Sequence, residues 1–309
     1  MSDYEISIII PVFNEEGNLQ ELYKRLRYVL EEEMGVTYEI LFVEDGYDSS
    51  WKIIKSMHEE NDHIKGIRFS RRFGHQCALK AGLDYAQGKA VISMDADLQH
   101  PPELIVELYE KWKEGYQIVQ TVRKDTIGGN LFKKITSILF YRFMNVISDV
   151  EIKPGSSDFR LIDRQVVNEL MKMNERQFFL RGLVHWVGFK HYSIEYVAQE
   201  RFSGSPKYTF PKLINFAIDG VMSFSTKPLR IATMTGFFVS ILTFCYIIYA
   251  LIVYFFLKKT IPGWTSILIS VLFIGGIQLI ALGIIGEYIG KLYIENKRRQ
   301  NYIIHEIVE

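Results

Sequence analysis

Apolar runs and amphipathic stretches alternate along the first part of the chain. "ISIIIPVF" from Ile6 is apolar but for one serine, the pattern of a strand buried on both faces. Leu19, Leu22, Tyr23, Leu26, Val29 and Leu30 then recur at helical spacing and predict a helix with one apolar stripe. "EILFV" from Glu39 is a second strand, and "DSSWKIIKSMHEE" a second helix that Asp48 to Ser50 can cap. "IKGIRFS" and "HQCALKAGLDYA" repeat the pair, "KAVISM" is a fourth strand, and Pro101-Pro102 open a fourth helix. "QIVQTV" is a fifth strand. This rhythm predicts a largely parallel sheet covered by helices on both faces. Such sheets bind ligands beyond the carboxyl ends of their strands.

Four polar loops fall at those ends: "PVFNEEGN", "VEDGYDSS", "SRRFGHQ" and "DADLQHPPE". A structural turn needs turn residues, not repeated carboxylates, so the pattern predicts a site. Asp95 and Asp97 leave the fourth strand with one residue between them. Their repulsion and desolvation are costly unless a cation offsets them. A hard divalent ion such as Mg²⁺ or Mn²⁺ takes oxygen ligands and bridges phosphates. His100 beside them reads either as a further metal ligand or as a loop residue ahead of the two prolines.

Beyond residue 230 the chain changes character. Ile231 to Phe256 and Trp264 to Ile285 carry no charge, and each run exceeds the roughly 20 residues that cross a hydrocarbon core. Lys227 and Arg230 precede the first run; Lys291, Lys297, Arg298 and Arg299 follow the second. Lys258 and Lys259 in the short connection oppose that bias but are outnumbered. The positive-inside rule then expects two spans in the cell membrane, with both termini cytoplasmic and a short external hairpin. Trp264 stands where an interfacial anchor belongs. Gly286 and Gly290 read as a close-packing pair or as a flexible helix end, and the glycine-bearing span suggests a homo-oligomer. Tyr208 to Phe224 suits a helix lying in the membrane interface, and Gly128 to Ile147 is a second candidate.

Composition narrows the rest. Formal net charge is zero, which gives no reason to expect a nucleic-acid partner. Two lone cysteines, Cys77 and Cys245, suggest neither a disulfide framework nor a zinc site and suit a reducing compartment. The N-terminus is acidic and enters a strand at once, unlike a signal peptide.

"IIIPVFNEE", "EILFVEDGYDSS", "FGHQCALKAGLDYA", "ISMDADLQHPPE", "SSDFRLIDR" and "ERFSGSPKYTFPKL" together resemble the family-2 glycosyltransferases of the GT-A fold. The likeness is to the polyprenyl-phosphate branch, which includes bactoprenol glucosyltransferases and dolichyl-phosphate mannose synthases. "SFSTKPLR", two spans and "GEYIGKLYIENKRRQNYII" extend it over nearly the whole chain, and the two-span tail is most similar to the bactoprenol group. The resemblance implies an α/β GT-A catalytic domain over residues 1–207, an interfacial segment over 208–230, two transmembrane helices within 231–290 and a cytosolic tail over 291–309.

It also implies roles. Asp45 holds the nucleotide base, with Pro11 and Glu15 lining the same pocket. Asp95 lies against the ribose and phosphates. Asp97, with Asp95 and Gln99 near it, binds Mg²⁺ or Mn²⁺ on the diphosphate. Arg201 and Lys207 contact phosphate. Asp158 matches the acidic residue usually assigned as base; a phosphate acceptor needs no base, so orienting the acceptor or the sugar is the alternative, and an ion pair with Arg160 or Arg164 a third. The implied reaction is inverting transfer of a sugar from a nucleotide-diphosphate sugar to a polyprenyl phosphate in the membrane. UDP-glucose is the first expectation and GDP-mannose the second. Two departures stand out: Tyr47 replaces a small residue beside the nucleotide, and His100 replaces a common Asp. A processive polysaccharide synthase is disfavoured, because Gln177, Arg181 and Trp186 lack the spacing of its Gln-x-x-Arg-Trp motif. A membrane-anchored nucleotide-sugar sensor is the non-enzymatic alternative.

Overall fold

The computed structural model describes residues 4–124, 155–173, 175, 178–197, 225–257 and 263–309. The chain divides into two compact units: one of residues 1–146, 150–220 and 299–309, the other of residues 147–149 and 221–298.

The first unit is built on a sheet. Strands β1 (Ile6–Val12), β2 (Tyr38–Glu44), β3 (Ile64–Phe69) and β4 (Ala90–Ser93) alternate with helices α1 (Leu19–Arg27), α2 (Ser50–Glu60), α3 (His75–Tyr85) and α4 (Leu104–Lys113). Then come β5 (Ile118–Lys124), β6 (Ser156–Asp163), α5 (Arg164–Lys172), α6 (Leu180–Trp186) and β7 (His191–Val197). The sheet order is β7-β5-β6-β4-β1-β2-β3, with β8 (Ile304–Val308) on the β3 edge. Pairing of β4, β1, β2 and β3 is parallel, as is that of β5 with β7. β6 runs antiparallel between β4 and β5, and β8 antiparallel to β3. The expected mostly parallel α/β sheet is therefore present, with two reversed strands added.

Why these segments fold so is visible in their burial. Every residue of β1 and β2 is buried, as their mainly apolar runs require; the polar exceptions are partnered, Ser7 donating to Glu39 at 2.5 Å and Glu44 accepting from Arg68 at 3.1 Å. One core layer joins β1, β2 and β4 to Leu19, Leu22 and Leu26 of α1 and to Trp51 and Ile54 of α2. On the other face α3 lies so close to β1 that a Cβ on Gly82 would land on Ile9 Cγ2. α1 runs on into a π-helical stretch, Tyr28–Met34, which Gly35 ends in the left-handed region at φ 60°.

The second unit contains two long helices, α7 (Lys227–Leu257) and α8 (Trp264–Asn296), which touch each other. Both contain windows long and apolar enough to cross a membrane, and neither window is buried. Phe237, Phe238, Leu279 and Leu282 are exposed, as in a helix whose solvent is lipid. Thr235, Ser240 and Thr243 donate their hydroxyl protons to carbonyls four residues back, so these polar groups need no outside partner. A Cβ at Gly286 or Gly290 would meet nothing within 4 Å, so these glycines serve no close contact among the described residues. The two interfacial candidates, Tyr208 to Phe224 and Gly128 to Ile147, lie outside the described residues.

Candidate active site

The carboxyl ends of β1 to β4 share one edge of the sheet, and their loops are tied together. Asn14, at φ 53°, accepts the Tyr47 amide proton on its Oδ1 at 2.9 Å. A Cβ on Gly46 would sit 2.7 Å from that oxygen, so the loop after β2 needs glycine there. Asp48 accepts from Glu16 N at 3.1 Å, and Glu16 accepts from Ser49 N at 3.0 Å. Thus "NEE" and "DGYDSS" are two halves of one braced structure.

Asp45 leads from β2 into this structure and is 5% exposed. Its two oxygens accept the backbone protons of Phe73 and Gly74, at 2.6 and 2.8 Å. Burial raises its pKa, against the effect of those two bonds. The carboxylate therefore fixes the loop after β3 while bordering a cavity of about 200 Å³. Tyr47, Arg68, Phe69, Arg71 and His305 also border it; Pro11 and Glu15 do not. Pro11 is buried in β1, and Glu15 accepts a proton from Asn18 Nδ2 at 2.5 Å.

The turn after β4 is equally constrained. Leu98 takes φ 61°, a rare value for a branched side chain, and its side chain is buried. Asp97 accepts the Gln99 amide proton at 3.2 Å, which closes the turn and leaves both side chains partly exposed. His100 is buried; its Nδ1 accepts from Asp95 N at 3.0 Å, and its Nε2 lies 2.7 Å from Ser157 Oγ. An Nδ1 that accepts leaves Nε2 as the donor in the neutral ring. His100 thus braces the Asp95 backbone against β6, stacked on Phe159 at 5.2 Å.

Because β6 runs antiparallel, its first residues reach the same edge as the last residues of β4. That places Asp158 there, 4% exposed. Arg181, one residue into α6, grips it in a fork: Nε to Oδ1 and Nη2 to Oδ2, both at 2.8 Å. Arg160 donates to Oδ1 from 3.1 Å, while Arg164 instead donates to the Gly88 carbonyl. His75 Nε2 lies 3.3 Å from Asp158 Oδ2 and 3.7 Å from Asp95 Oδ1, so it bridges the two carboxylates.

The charges follow from this arrangement. Burial pushes the Asp158 carboxyl up, but Arg181, His75 and Arg160 outweigh it and hold the group well below the usual carboxylate range. Burial opposes a charge on His75, and Asp158 and Asp95 overcome it, raising the imidazole pKa. Burial lowers Arg160 to about 10, which keeps it charged at neutral pH. Two guanidiniums thus face one carboxylate. Among the described residues, Arg160 Nε and Nη1 are buried with no hydrogen-bond partner.

The structure therefore gathers Asp95, Asp97, Gln99 and Asp158 at one edge and Asp45 on the same loop system. Arg201 and Lys207 lie outside the described residues. Three residues of this edge were not singled out for the site from sequence. His75 was legible only as part of "FGHQ", Arg181 was weighed only in a motif it does not fit, and His305 is far off in the chain.

Comparison with known proteins identifies the family. A family model described as glycosyl transferase family 2 matches residues 7–171, and one described as the GtrB C-terminal hairpin matches residues 227–292. The chain belongs to glycosyl transferase family 2. The uncharacterized glycosyltransferase YkcC of Bacillus subtilis (strain 168) is 45% identical over 303 residues, 98% of this chain and 94% of the relative. The bactoprenol glucosyl transferase of Shigella phage SfV is 41% identical over 301 residues, covering 97% of this chain and 98% of the relative. The solved mannosyl-3-phosphoglycerate synthase from Rubrobacter xylanophilus is 15% identical at a TM-score of 0.46, covering 75% of each chain, too distant to bear on function.

Proposed function

We propose that this glycosyltransferase moves glucose from UDP-glucose onto a polyprenyl phosphate at the cytoplasmic face of a cell membrane. One observation carries the reading: His75 links Asp95, from the Asp-x-Asp turn, to the buried Asp158, so the donor carboxylates and the acceptor-side anion address one centre. The name borne by relatives 41% identical over nearly the whole chain supports glucose and the lipid acceptor.

The lipid phosphate oxygen attacks the anomeric carbon from the face opposite the diphosphate. The new C–O bond forms as the old one breaks, UDP leaves with its bonding electrons, and the configuration inverts. No proton is transferred. A phosphate monoester has its second pKa near ~6 and is mostly a dianion at neutral pH. Asp158, held as a permanent anion by two arginines, is a poor proton acceptor; it orients Arg181 and His75 instead. Arg160, Arg181 and His75 neutralise Asp158, so this carboxylate adds little repulsion toward an approaching phosphate. Arg201 and Lys207 are assigned to phosphate contacts as well.

The donor set fits a hard cation. Asp95 and Asp97 offer carboxylate oxygens, with Gln99 beside them, and among the described residues no group of three or more His, Cys, Asp or Glu side chains forms a closed metal cage. Mg²⁺ or Mn²⁺ commonly completes such a shell from substrate phosphates and water. When bound, it offsets charge on the departing diphosphate.

The pairing of β8 supports a topology with both termini on one side of the membrane. It pairs with β3 in the sheet that also contains β1, so both ends of the chain belong to one domain. A chain that leaves for the membrane and returns to that domain crosses an even number of times. With α7 and α8 as the two spans, both termini lie on the side of the nucleotide sugar, the cytoplasm.

The test is a donor panel. Purified protein with polyprenyl phosphate and Mg²⁺ or Mn²⁺ is given labelled UDP-glucose, UDP-galactose or GDP-mannose. Charged glycolipid forming fastest from UDP-glucose supports the proposal; preference for GDP-mannose makes the chain a mannose-transferring relative; donor binding without glycolipid would make it a sensor.

A further inference from the structure

β8 does more than end the chain. Its pairing with β3 slips at one point: Arg68 lies opposite Glu306 and Phe69 opposite Ile304, so His305 has no partner on β3. That is a β-bulge, a device that re-aims a side chain and is common beside active sites. The re-aimed residue here borders the cavity formed by Asp45, Gly46 and Tyr47 from the loop after β2, by Arg68 and Phe69 from β3, and by Ser70 and Arg71 just beyond it.

The tail is held on both sides of the bulge. Ser70 N donates to the Ile303 carbonyl at 2.9 Å, and Tyr302 stacks on Phe69 at 5.3 Å while its hydroxyl donates to Asp84 at 2.7 Å. Past the bulge, Glu306 accepts from Trp51 Nε1 at 2.7 Å and from Lys55 at 3.1 Å. An edge strand fastened at two points fixes the residue between them, so the His305 position is part of the pocket wall.

The pocket's chemistry selects its occupant. The Asp45 carboxylate repels a phosphate but accepts an N–H; each of its oxygens takes one backbone proton and keeps a lone pair. Glu44 pairs with Arg68 at 3.1 Å and absorbs much of that charge. The Tyr47 side chain, 72% exposed at the cavity's border, is available to a flat heterocycle, while Phe69 is held beneath by Tyr302. We propose that His305 is a specificity-determining residue of the donor site: it contacts the nucleobase of the nucleoside diphosphate, so the segment following the membrane helices completes the nucleotide pocket. The inference rests on the donor reading above and adds to it the tail.

The experiment uses the full chain in detergent with Mn²⁺. UDP, CDP and GDP are titrated into wild type, His305→Ala and His305→Gln, and steady-state constants are measured with polyprenyl phosphate. Wild type should prefer one base. His305→Ala should weaken that nucleotide about tenfold, the scale of one lost polar contact, and narrow the discrimination between bases. Its kcat at saturating donor and its KM for the lipid should stay within about twofold, and His305→Gln should recover part of the loss. In parallel, wild type is irradiated with the thio-base analogue of the preferred diphosphate and digested with trypsin. Label on the peptide 300–309 is expected, whatever the stability of the variants. Nucleotide affinity of His305→Ala within twofold of wild type, or label confined to other peptides, overturns the inference and leaves the donor reading intact. A wild-type chain that binds none of the three nucleotides overturns both.

Discussion

Arg181 and Asp158 meet as a two-bond fork, each bond 2.8 Å, with the carboxylate buried and the guanidinium about one-third exposed. A planar fork makes this contact; an ammonium cannot. Arg181→Lys should therefore lower kcat by roughly 10- to 100-fold, the cost of one or two charge-assisted bonds. Nucleotide affinity should hold within about twofold, because Asp45 and its cavity lie elsewhere on the edge. Full turnover in the lysine variant would show that the fork does not position the reacting groups.

The same network fixes how stability depends on pH. Asp158 has a native pKa below its unfolded value of about 3.9. Its contribution is thus fully present above that unfolded value and is lost as pH falls through the native one. The gap in melting temperature between wild type and Asp158→Asn should widen as pH falls from about 8 and His75 takes up its proton beside Asp158, hold near pH 5, and narrow below about pH 4 as the carboxylate is lost. A gap that closes near neutrality would contradict the pairing.

Asp97 lies in the turn closed by Gln99. Asp97→Asn keeps the turn's acceptor oxygen and removes the charge a cation needs. Transfer should fall below detection with the melting temperature unchanged. Chelators should likewise stop wild-type turnover, and Mg²⁺ or Mn²⁺ should restore it. Activity within a few-fold of wild type and unchanged metal dependence would remove Asp97 from the metal site.

Gly82 tests the packing that holds α3, and with it His75, in place. Its missing Cβ is the space into which Ile9 Cγ2 fits. Gly82→Ala should destabilise the protein by about 1–3 kcal/mol through overpacking, despite alanine's better helix propensity. Thermal or denaturant unfolding of the variant checks this; a more stable variant would mean that α3 can shift freely.

The sequence made the parallel half of the fold legible because doubly buried strands announce themselves: β1 reads as an apolar run broken only by Ser7, and β2 centres on the apolar run from Ile40 to Val43. Asp45, Asp95 and Asp97 were legible for a related reason, since each stands where such a run stops. The two reversed strands carry no such signal. "SSDFRLID" mixes buried serine, aspartate and arginine with apolar residues, and "IHEIV" lies at an edge with alternate residues exposed. Both bring their first residues to the functional edge, so Asp158 is legible only through the family resemblance and His305 only in the folded chain. Arg181 stayed hidden because a fork across two elements leaves no local spacing. His75 stayed hidden because a histidine opening a helix is usually just that.

The central claim is that the acceptor attacks as a preformed anion, with Asp158 an orienting group rather than a base. Single-turnover rates in nanodiscs, with saturating donor and metal, would be measured from mildly acidic to mildly alkaline pH. Two acceptors are compared, a polyprenyl phosphate and its phosphonate analogue, whose second pKa is higher, in wild type and in Asp158→Asn. The account predicts an acidic limb near pH ~6 for the phosphate that moves up with the phosphonate. It also predicts that the limb persists in Asp158→Asn at a lower overall rate. A limb that ignores the acceptor's acidity and disappears in Asp158→Asn, with donor binding preserved, would contradict the account and make Asp158 the base.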